Sequence, residues 1–403
     1  MEELIKKNEK SSQKISRRDF ITKSSAAAAA FMIVPRYVLG GPGYTAPSDK
    51  INIAAIGVGG KGRSDIAAVA TENIVALCDV DDVKMFDTIK RAGEWAEEKG
   101  LSENPLTKVP RYKDFREMLD KQKDIDAVTV STPDHFHAVA AITAIKQGKH
   151  AFVQKPLTYS VDEAQKLSAA AKKAGVVTQM GNQGHAGEGI RLIGEWLKDD
   201  AIGEVREVHC WTNRPIWDTG MNRPAEIPSV PPTLDWNQWI GPAPFRPYHP
   251  DYAPWSWRAW CDFGTGALGD MGAHIFDIPY HTLKMDHPTS VFASSSKFNG
   301  ESWPVASTIY YEFPQRGSLP PVKLTWYDGG IMPSRPEGIE PGRRMGDGDG
   351  GIMFYGDKGM IMCGCYGRNP RLVPETSMKE YQRPPKTLSR SPGIHEEWVQ
   401  CIK

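Results

Sequence analysis

The sequence feature that most constrains the fold is a glycine-rich turn directly after a short apolar run. Residues 51–56 are apolar enough for a buried strand. The turn then contains Gly57, Gly59 and Gly62 in the order G-x-G-x-x-G. In such a unit the first glycine permits the tight turn, the second lets the backbone approach a pyrophosphate, and the third lets the helix pack closely on the strand. A helix predicted over about residues 63–70 would point its N-terminal amides at the phosphates.

An acidic residue follows at the position expected of a ribose ligand. Residues 73–78 predict a second buried strand, which ends at Asp79, seventeen residues after Gly62. That spacing is close to the ~20 residues expected of a carboxylate that binds the adenosine ribose. Its charge would repel a 2′-phosphate, and Asp81 and Asp82 follow without a nearby arginine. We therefore expect NAD rather than NADP, the alternative being an ordinary strand–turn–helix in which Asp79 is only a cap.

Composition excludes several classes of partner. The formal net charge is zero and the pI is about 7.1, so no electrostatic feature favours nucleic acid or an anionic membrane. Six scattered cysteines in 403 residues do not form a disulfide framework. Twelve tryptophans are compatible with core packing and with faces that stack on sugars. We expect a small-molecule partner and no nucleic acid.

The N-terminus resembles a targeting segment. Residues 16–23 read Ser-Arg-Arg-Asp-Phe-Ile-Thr-Lys, as in a twin-arginine export signal, and residues 26–34 are apolar but too short to span a bilayer. We assign residues 1–45 to signal and linker, and expect a periplasmic protein with no integral membrane span after processing. A chance arginine pair before a hydrophobic helix is the alternative. Because the periplasm offers no useful free nicotinamide pool, an exported dinucleotide enzyme would have to keep its cofactor and recycle it.

Two further strand ends carry polar residues. Residues 127–130 predict a strand that ends before Thr132 and Pro133, and proline cannot continue a sheet ladder. Residues 150–153 predict the next strand, which leads to Lys155. In dinucleotide-binding folds the ligand lies at this carboxyl edge of the sheet. We therefore assign residues 46–178 to an NAD-binding Rossmann domain and residues 179–403 to a substrate and oligomerisation domain.

These motifs together resemble one family. The glycine turn, the Thr-Pro-x-x-x-His segment at 132–137 and the Lys-Pro pair at 155–156 are similar to the glucose–fructose oxidoreductase/inositol dehydrogenase family, Gfo/Idh/MocA. The resemblance covers the chain from residue 50 onward. It implies an α/β fold, with an N-terminal Rossmann domain and a C-terminal domain built on a large, mainly antiparallel open sheet. This sequence has Gln154 where the family usually has glutamate, which removes a negative charge near Lys155.

The resemblance also bears on assembly and on the end of the sequence. Family members associate through the open sheet, which implies a homo-oligomer. They continue beyond a helix such as the one predicted to start within residues 391–398. We therefore expect the sequence to lack a final strand or two.

A second informative stretch carries titratable residues at helical spacing. Asp270, His274 and Asp277 follow one another at i, i+4 and i+7, which on a helix places them on one face. Removing hydride from C–OH requires a base for the hydroxyl proton, and histidine titrates in a suitable range. Asp270 would orient that histidine, and Lys155 would stabilise developing alkoxide charge. The family resemblance implies the same catalytic set, Lys155, Asp270 and His274, without deciding which group is the base.

Alternatives for this stretch are a divalent metal held by Asp270, His274 and Asp277, or a structural histidine paired with its i−4 aspartate. We predict no metal site. The expected substrate contacts are His185, Trp257, Arg258 and Asp277. The expected cofactor contacts are Gly57, Gly59, Gly60, Gly62, Asp79, Thr132, Pro133, His137 and Lys155.

The sequence therefore predicts an NAD(P)-dependent oxidoreductase that moves hydride to and from a carbinol carbon of a sugar, glycoside or cyclitol. One alternative is a redox-assisted glycoside hydrolase or lyase, in which transient oxidation acidifies the neighbouring C–H and permits elimination. The other is a non-catalytic sugar-binding protein on the same scaffold.

Overall fold

Strands and helices alternate through the first part of the protein. The computed structural model describes residues 46–98 and 103–403; the predicted twin-arginine signal lies outside the described residues. Pro47–Asp49 forms one 3-10 turn, and Ile51–Lys403 forms a compact unit. The elements up to residue 181 are β1 (Asn52–Ile56), α1 (Lys61–Ala68), β2 (Asn73–Cys78), α2 (Asp82–Glu98), β3 (Arg111–Tyr112), α3 (Phe115–Lys121), β4 (Ala127–Val130), α4 (His137–Lys146), β5 (His150–Gln154), α5 (Val161–Ala174) and β6 (Thr178–Gly181).

The first six strands form one parallel sheet in the order β3-β2-β1-β4-β5-β6. Every residue of β4 is buried, as are the last four of β1, because helices cover both faces of such a sheet and leave no polar alternation. The strand order changes direction between β1 and β4, which opens a crevice at the carboxyl ends of the strands.

A second, seven-stranded sheet follows. Its elements and the surrounding helices are α6 (Glu188–Lys198), β7 (Val205–Thr212), α7 (Trp236–Ile240), α8 (Gly266–Ile275), α9 (Asp277–Thr282), β8 (Ser290–Ser295), β9 (Ser307–Phe313), β10 (Val322–Tyr327), β11 (Gly350–Gly356), β12 (Met360–Gly364), β13 (Arg371–Val373), α10 (Glu375–Glu380) and α11 (Ile394–Ile402). The order is β13-β12-β11-β7-β10-β9-β8, and every pairing is antiparallel except β7 with β10. The predicted fold class is confirmed.

One face of the second sheet packs on helices, and on the other face Trp211, Met353 and Met362 are buried with Ile339 and Met345. Ile193 and Trp196 of α6 and Ile275 of α8 pack in one core with Trp326 of β10. By contrast, all residues of β8 are exposed. The homo-oligomer expected through this sheet stays a prediction.

The two sheets are connected by more than the chain between them. Helix α11 returns to the first sheet, where Trp398 and Phe152 pack together in a buried cluster. Thr265, before α8, donates its hydroxyl to the buried Asp134 carboxylate at 2.6 Å. The domain boundaries at 45/46 and 178/179 stay predictions.

The stretch between β7 and α8 builds an aromatic core of its own, which we call the aromatic cluster: Trp217, Trp236, Trp239, Ile240, Tyr252, Ala253, Trp257, Ala259, Trp260 and Phe263. Buried His135, after β4, fixes this cluster to the first sheet. Its two ring nitrogens lie 3.2 Å and 3.1 Å from the carbonyl oxygens of Phe263 and Trp239. Burial lowers the pKa of His135 to about 4. In the part of the chain that the structure describes, no helix is both long and apolar enough to cross a bilayer.

Candidate active site

The glycine turn forms a cradle that side chains would fill. Gly57 has φ +78° and donates its N–H to the Cys78 carbonyl at 2.8 Å. A Cβ there would lie 2.8 Å from the backbone of Ser131, and a Cβ at Gly62 would lie 2.0 Å from the Gly57 oxygen. Both contacts are too close for any residue but glycine. The following helix α1 begins at Lys61, two residues earlier than predicted.

The other two glycines keep the turn open toward the cleft. A Cβ at Gly59 would lie 3.1 Å from the Lys84 side chain, and Gly60 has φ +51°. All three of the cleft-facing glycines 57, 59 and 60 line the cavity described below. The predicted cofactor-contact glycines therefore lie in one place, at the N-terminal end of α1.

Asp79 contacts the glycine turn directly. One carboxylate oxygen accepts the amides of Val58 at 2.8 Å and Gly59 at 3.3 Å, and the other accepts the Asp81 amide at 3.0 Å. Burial raises the pKa of Asp79, and the three hydrogen bonds from backbone N–H groups partly offset that rise. A carboxylate offers about four acceptor positions. Asp79 can thus order the turn and still accept a hydroxyl from a ligand in the cleft.

A cleft of about 560 Å³ runs from Asp79 to Lys155 along the strand ends. Thr132 and Pro133 line it, and the Thr132 hydroxyl oxygen is buried without a hydrogen-bond partner among residues 46–98 and 103–403. Buried polar groups are normally satisfied, so this hydroxyl fits a polar ligand. The cradle, α1, Asp79 and this hydroxyl together fit a dinucleotide.

His137 lies between two loops at this edge. Its ring nitrogens lie 2.8 Å from the Thr132 carbonyl oxygen and 2.7 Å from the Pro156 carbonyl oxygen. It therefore braces the loops that follow β4 and β5. Since both nitrogens are engaged, its contact with a cofactor stays a prediction.

Lys155, at a strand end of the first sheet, contacts Asp270 on helix α8 of the second domain. Lys155 Nζ donates to Asp270 Oδ1 at 2.6 Å and to the Asp270 carbonyl oxygen at 2.7 Å. Arg214 Nε and Arg258 Nε each lie 3.5 Å from the same carboxylate. Burial would raise the pKa of Asp270, but the charges of Lys155, Arg258 and Arg214 hold it below its usual range. Asp270 is therefore an ionised carboxylate that fixes the position of Lys155 Nζ.

His274 lies one turn further along α8 and is 3% exposed. Burial and the nearby Lys155 charge lower its pKa to about 3, so the imidazole is neutral near neutral pH. Its Nδ1 is buried without a hydrogen-bond partner in the described ranges, and its ring packs on Tyr366. The structure differs here from the expected Asp270–His274 pair, because Asp270 is held by cations instead. An imidazole with so low a pKa is a weak base, and His274 is not among the residues that line the cleft.

Asp277 does not continue the same helix. Helix α8 ends at Ile275 and α9 begins at Asp277, so the expected single face is interrupted. The Asp277 carboxylate lies 3.0 Å and 3.1 Å from His185 Nδ1. This hydrogen bond raises the pKa of His185. The two expected substrate residues thus form a pair of their own, and their role stays a prediction.

Arg258 is held between two indoles. Its guanidinium carbon lies 4.2 Å from the Trp257 ring centroid and 4.6 Å from that of Trp255. Trp257 is 7% exposed, whereas Trp255 is 51% exposed and lines the cleft beside Lys155. Trp257 was expected at the site from the sequence, but Trp255, in the same tryptophan-rich stretch, was not. Arg214 was not expected either, because the sequence carries no local signal for it.

The neutral Gln154 has a structural explanation. Its amide donates to Asp65 Oδ2 at 2.8 Å, and Asp65 is fully buried in α1. The Ser131 hydroxyl at 2.7 Å, His395 Nε2 at 3.0 Å and Lys61 also contact this carboxylate. Burial would raise the pKa of Asp65, but the His395 hydrogen bond, Lys61 and Ser131 hold it below its usual range. A buried charge so close requires a neutral donor at position 154.

The alternative of a divalent metal held by Asp270, His274 and Asp277 has no suitable group of ligands in the described residues. Within the described residues, no three His, Cys, Asp or Glu side chains come together in a group that could hold a metal ion. Asp270, its central candidate, is already surrounded by Lys155, Arg214 and Arg258.

Comparison with known families agrees with this geometry. Residues 51–182 match the GFO_IDH_MocA family, described as an oxidoreductase family with an NAD-binding Rossmann fold. Residues 204–313 match the C-terminal alpha/beta domain of the same oxidoreductase family. The chain belongs to the GFO_IDH_MocA oxidoreductase family. The resemblance stated from the sequence motifs is confirmed.

Individual relatives match shorter segments. A glycosyl hydrolase family 109 protein of Solibacter usitatus is 34% identical over 30% of this chain and 27% of its own length. Levoglucosan dehydrogenase of Pseudarthrobacter phenanthrenivorans is 26% identical over 41% of this chain and 34% of its own. The chain thus spans about a third or less of these curated relatives. The WlbA dehydrogenase of Bordetella pertussis, solved with NADH and UDP-GlcNAcA, shares the fold with a TM-score of 0.51, at 16% identity over 78% of this chain and 77% of that one.

Proposed function

We propose that the protein transfers hydride between a tightly held NAD and a carbinol carbon of a sugar, glycoside or cyclitol. The observation that carries this proposal is the contact of Lys155 with Asp270 at the end of the nucleotide cleft. It joins a strand end of the Rossmann sheet to a helix of the second domain. A nicotinamide, when bound, supplies a hydride acceptor and donor. NAD rather than NADP is favoured by the acidic Asp79 in the cleft.

Side chains of the protein would then bind the substrate hydroxyl and remove its proton. The two hydrogen bonds to Asp270 hold Lys155 Nζ in place, so that it donates a further hydrogen bond to the substrate oxygen and stabilises negative charge there. We assign the hydroxyl proton to His274, whose pKa of about 3 the developing negative charge on the substrate oxygen must raise for the transfer to occur. Trp255, beside Arg258, offers an exposed aromatic face for the apolar side of a sugar ring.

The test has two steps. First, the purified protein is denatured and the released nucleotide is identified. Second, the absorbance of reduced nicotinamide is followed while a panel of sugars, glycosides and cyclitols is added. Lys155→Met should keep the nucleotide and lose the signal by a factor of about 10²–10⁴. Lys166→Ala is the matched control, because Lys166 is exposed and pairs with Asp162, which is exposed too. Absence of any signal in the wild type with every compound would refute the proposal.

A redox-assisted glycoside hydrolase or lyase is the second candidate. The similarity to a glycosyl hydrolase family 109 protein over about a third of the chain supports it. Nitrophenyl glycosides separate the two reactions, because hydrolysis or elimination releases nitrophenol without net reduction of the nucleotide. Nucleotide reduction without released nitrophenol favours the dehydrogenase.

Export and assembly are further proposals. The motif at residues 16–23 supports folded export through the twin-arginine route to the periplasm. Replacing Arg17 and Arg18 by lysine should leave the protein in the cytoplasmic fraction. Light scattering after size exclusion measures the proposed homo-oligomer.

A further inference from the structure

A short segment of the second domain pairs with the Rossmann domain immediately after Asp79. We call residues 231–235 the strap. The Asp82 amide donates to the Thr233 carbonyl at 3.0 Å, and the Asp235 amide donates to the Val80 carbonyl at 2.9 Å. Between these bonds, Asp81 and Leu234 form an antiparallel bridge. The two domains are therefore connected by main-chain hydrogen bonds at one end of the nucleotide cleft.

The strap contributes a wall of that cleft. Pro231, Thr233 and Leu234 line it together with the glycine turn and residues 79–81. Asp79 is the residue expected to bind the adenosine ribose, so the strap faces the adenosine half of the cleft.

The strap is anchored at its end. The Asp235 side chain accepts a hydrogen bond from the backbone N–H of Gln238 at 3.1 Å and so caps α7. Trp236 and Trp239 of α7 stack with ring centroids 4.8 Å apart inside the aromatic cluster. Since His135 fixes that cluster to the first sheet, the strap is held by a rigid core.

We propose that the strap is a second cofactor-binding element, which covers the adenosine half of the dinucleotide and traps it in the cleft. The inference rests on the proposed function, because it concerns the same nucleotide site. It supplies the physical basis for a cofactor that is kept through many turnovers. Its readout is nucleotide release, which does not depend on the sugar substrate.

A reversible crosslink tests the trap. Asp81 and Leu234 are a non-hydrogen-bonded antiparallel pair, whose Cα atoms are typically about 4.5 Å apart, within the range of a disulfide. The double variant Asp81→Cys/Leu234→Cys is made in a Cys401→Ser background, because Cys401 is an exposed free thiol. Loss of two thiols on oxidation confirms the crosslink. Release of bound NAD into excess labelled NAD should be about tenfold slower or more in the oxidised form than in the reduced form.

A second variant opens the strap without a crosslink. Leu234→Ala removes a half-buried side chain from the cleft wall and should release NAD about tenfold faster. Val230→Ala is the control, because Val230 is exposed and lies just outside the strap. If the oxidised and reduced forms of the double cysteine variant release NAD at the same rate, and Leu234→Ala releases it at the wild-type rate, the strap proposal is wrong. The proposed function is unaffected by that result. A wild-type protein that binds neither NAD nor NADP overturns the proposed function as well.

Discussion

Restoring the family's glutamate at position 154 should destabilise this protein. Gln154→Glu would replace an amide donor 2.8 Å from Asp65 Oδ2 by a second carboxylate. Two full charges that close repel by about 6 kcal/mol at an effective dielectric constant of 20. Keeping the new glutamate protonated near pH 7, with an ordinary pKa of about 4.3, costs only about 3.7 kcal/mol. Protonation is the cheaper route, so we expect a loss of about 3–4 kcal/mol.

This mechanism predicts a specific pH dependence. Each unit of lower pH reduces the cost of protonation by about 1.4 kcal/mol, so near pH 5 the loss should be only about 1 kcal/mol. Urea unfolding followed by tryptophan fluorescence, on wild type and variant at the same pH, measures the difference.

The control removes the neighbouring negative charge of Asp65. In an Asp65→Asn background, Gln154→Glu can accept a hydrogen bond from the new amide, and most of the penalty should disappear. A penalty that is the same at both pH values, or unchanged in the Asp65→Asn background, would refute the reasoning. It would mean that the cost arises from side-chain packing rather than from charge.

Three further predictions concern the cradle, the aromatic stretch and two buried histidines. Gly62→Ala should abolish nucleotide retention, because its Cβ would lie 2.0 Å from the Gly57 oxygen; Gly93→Ala, whose Cβ has Asn104 Nδ2 at 3.8 Å as its nearest neighbour among the described residues, should retain nucleotide. Trp255→Ala should raise KM for the sugar about tenfold with little change in kcat, whereas Trp257→Ala should lower the free energy of unfolding by about 3 kcal/mol, because Trp257 is buried. His135 and His274 have folded-state pKa values of about 4 and about 3, below the ordinary value of about 6.5, so their stabilisation is present above about pH 6.5 and lost as the pH falls. His135→Phe should make the acid slope of the unfolding free energy shallower by about 1.4 kcal/mol per pH unit.

Most of the fold could be predicted because its signals are local. The strands Asn73–Cys78 and Ala127–Val130 have the predicted bounds, since each is a short apolar run between turn residues. The glycine turn was also predictable, because its spacing and the following acid belong to one strand–turn–helix unit.

The contacts that complete the site could not be predicted in the same way. Gln154 and Asp65 are 89 residues apart in the sequence, and neither has a local pattern that points to the other. Arg214 reaches Asp270 only because β7 ends beside α8 in the folded protein. Likewise, exposure alone distinguishes Trp255 from Trp257, and exposure is a property of the packed structure.

The most direct test of the central claim compares wild type with Lys155→Met at equal nucleotide content. A sugar that is a substrate for the wild type is mixed rapidly with each protein, and the absorbance of the reduced nicotinamide is recorded during the first turnover. We predict a rapid rise in the wild type and a rate lower by about 10²–10⁴ in the variant. Equal rates in the two proteins would contradict the account, because the lysine that Asp270 aims into the cleft would then have no part in the reaction.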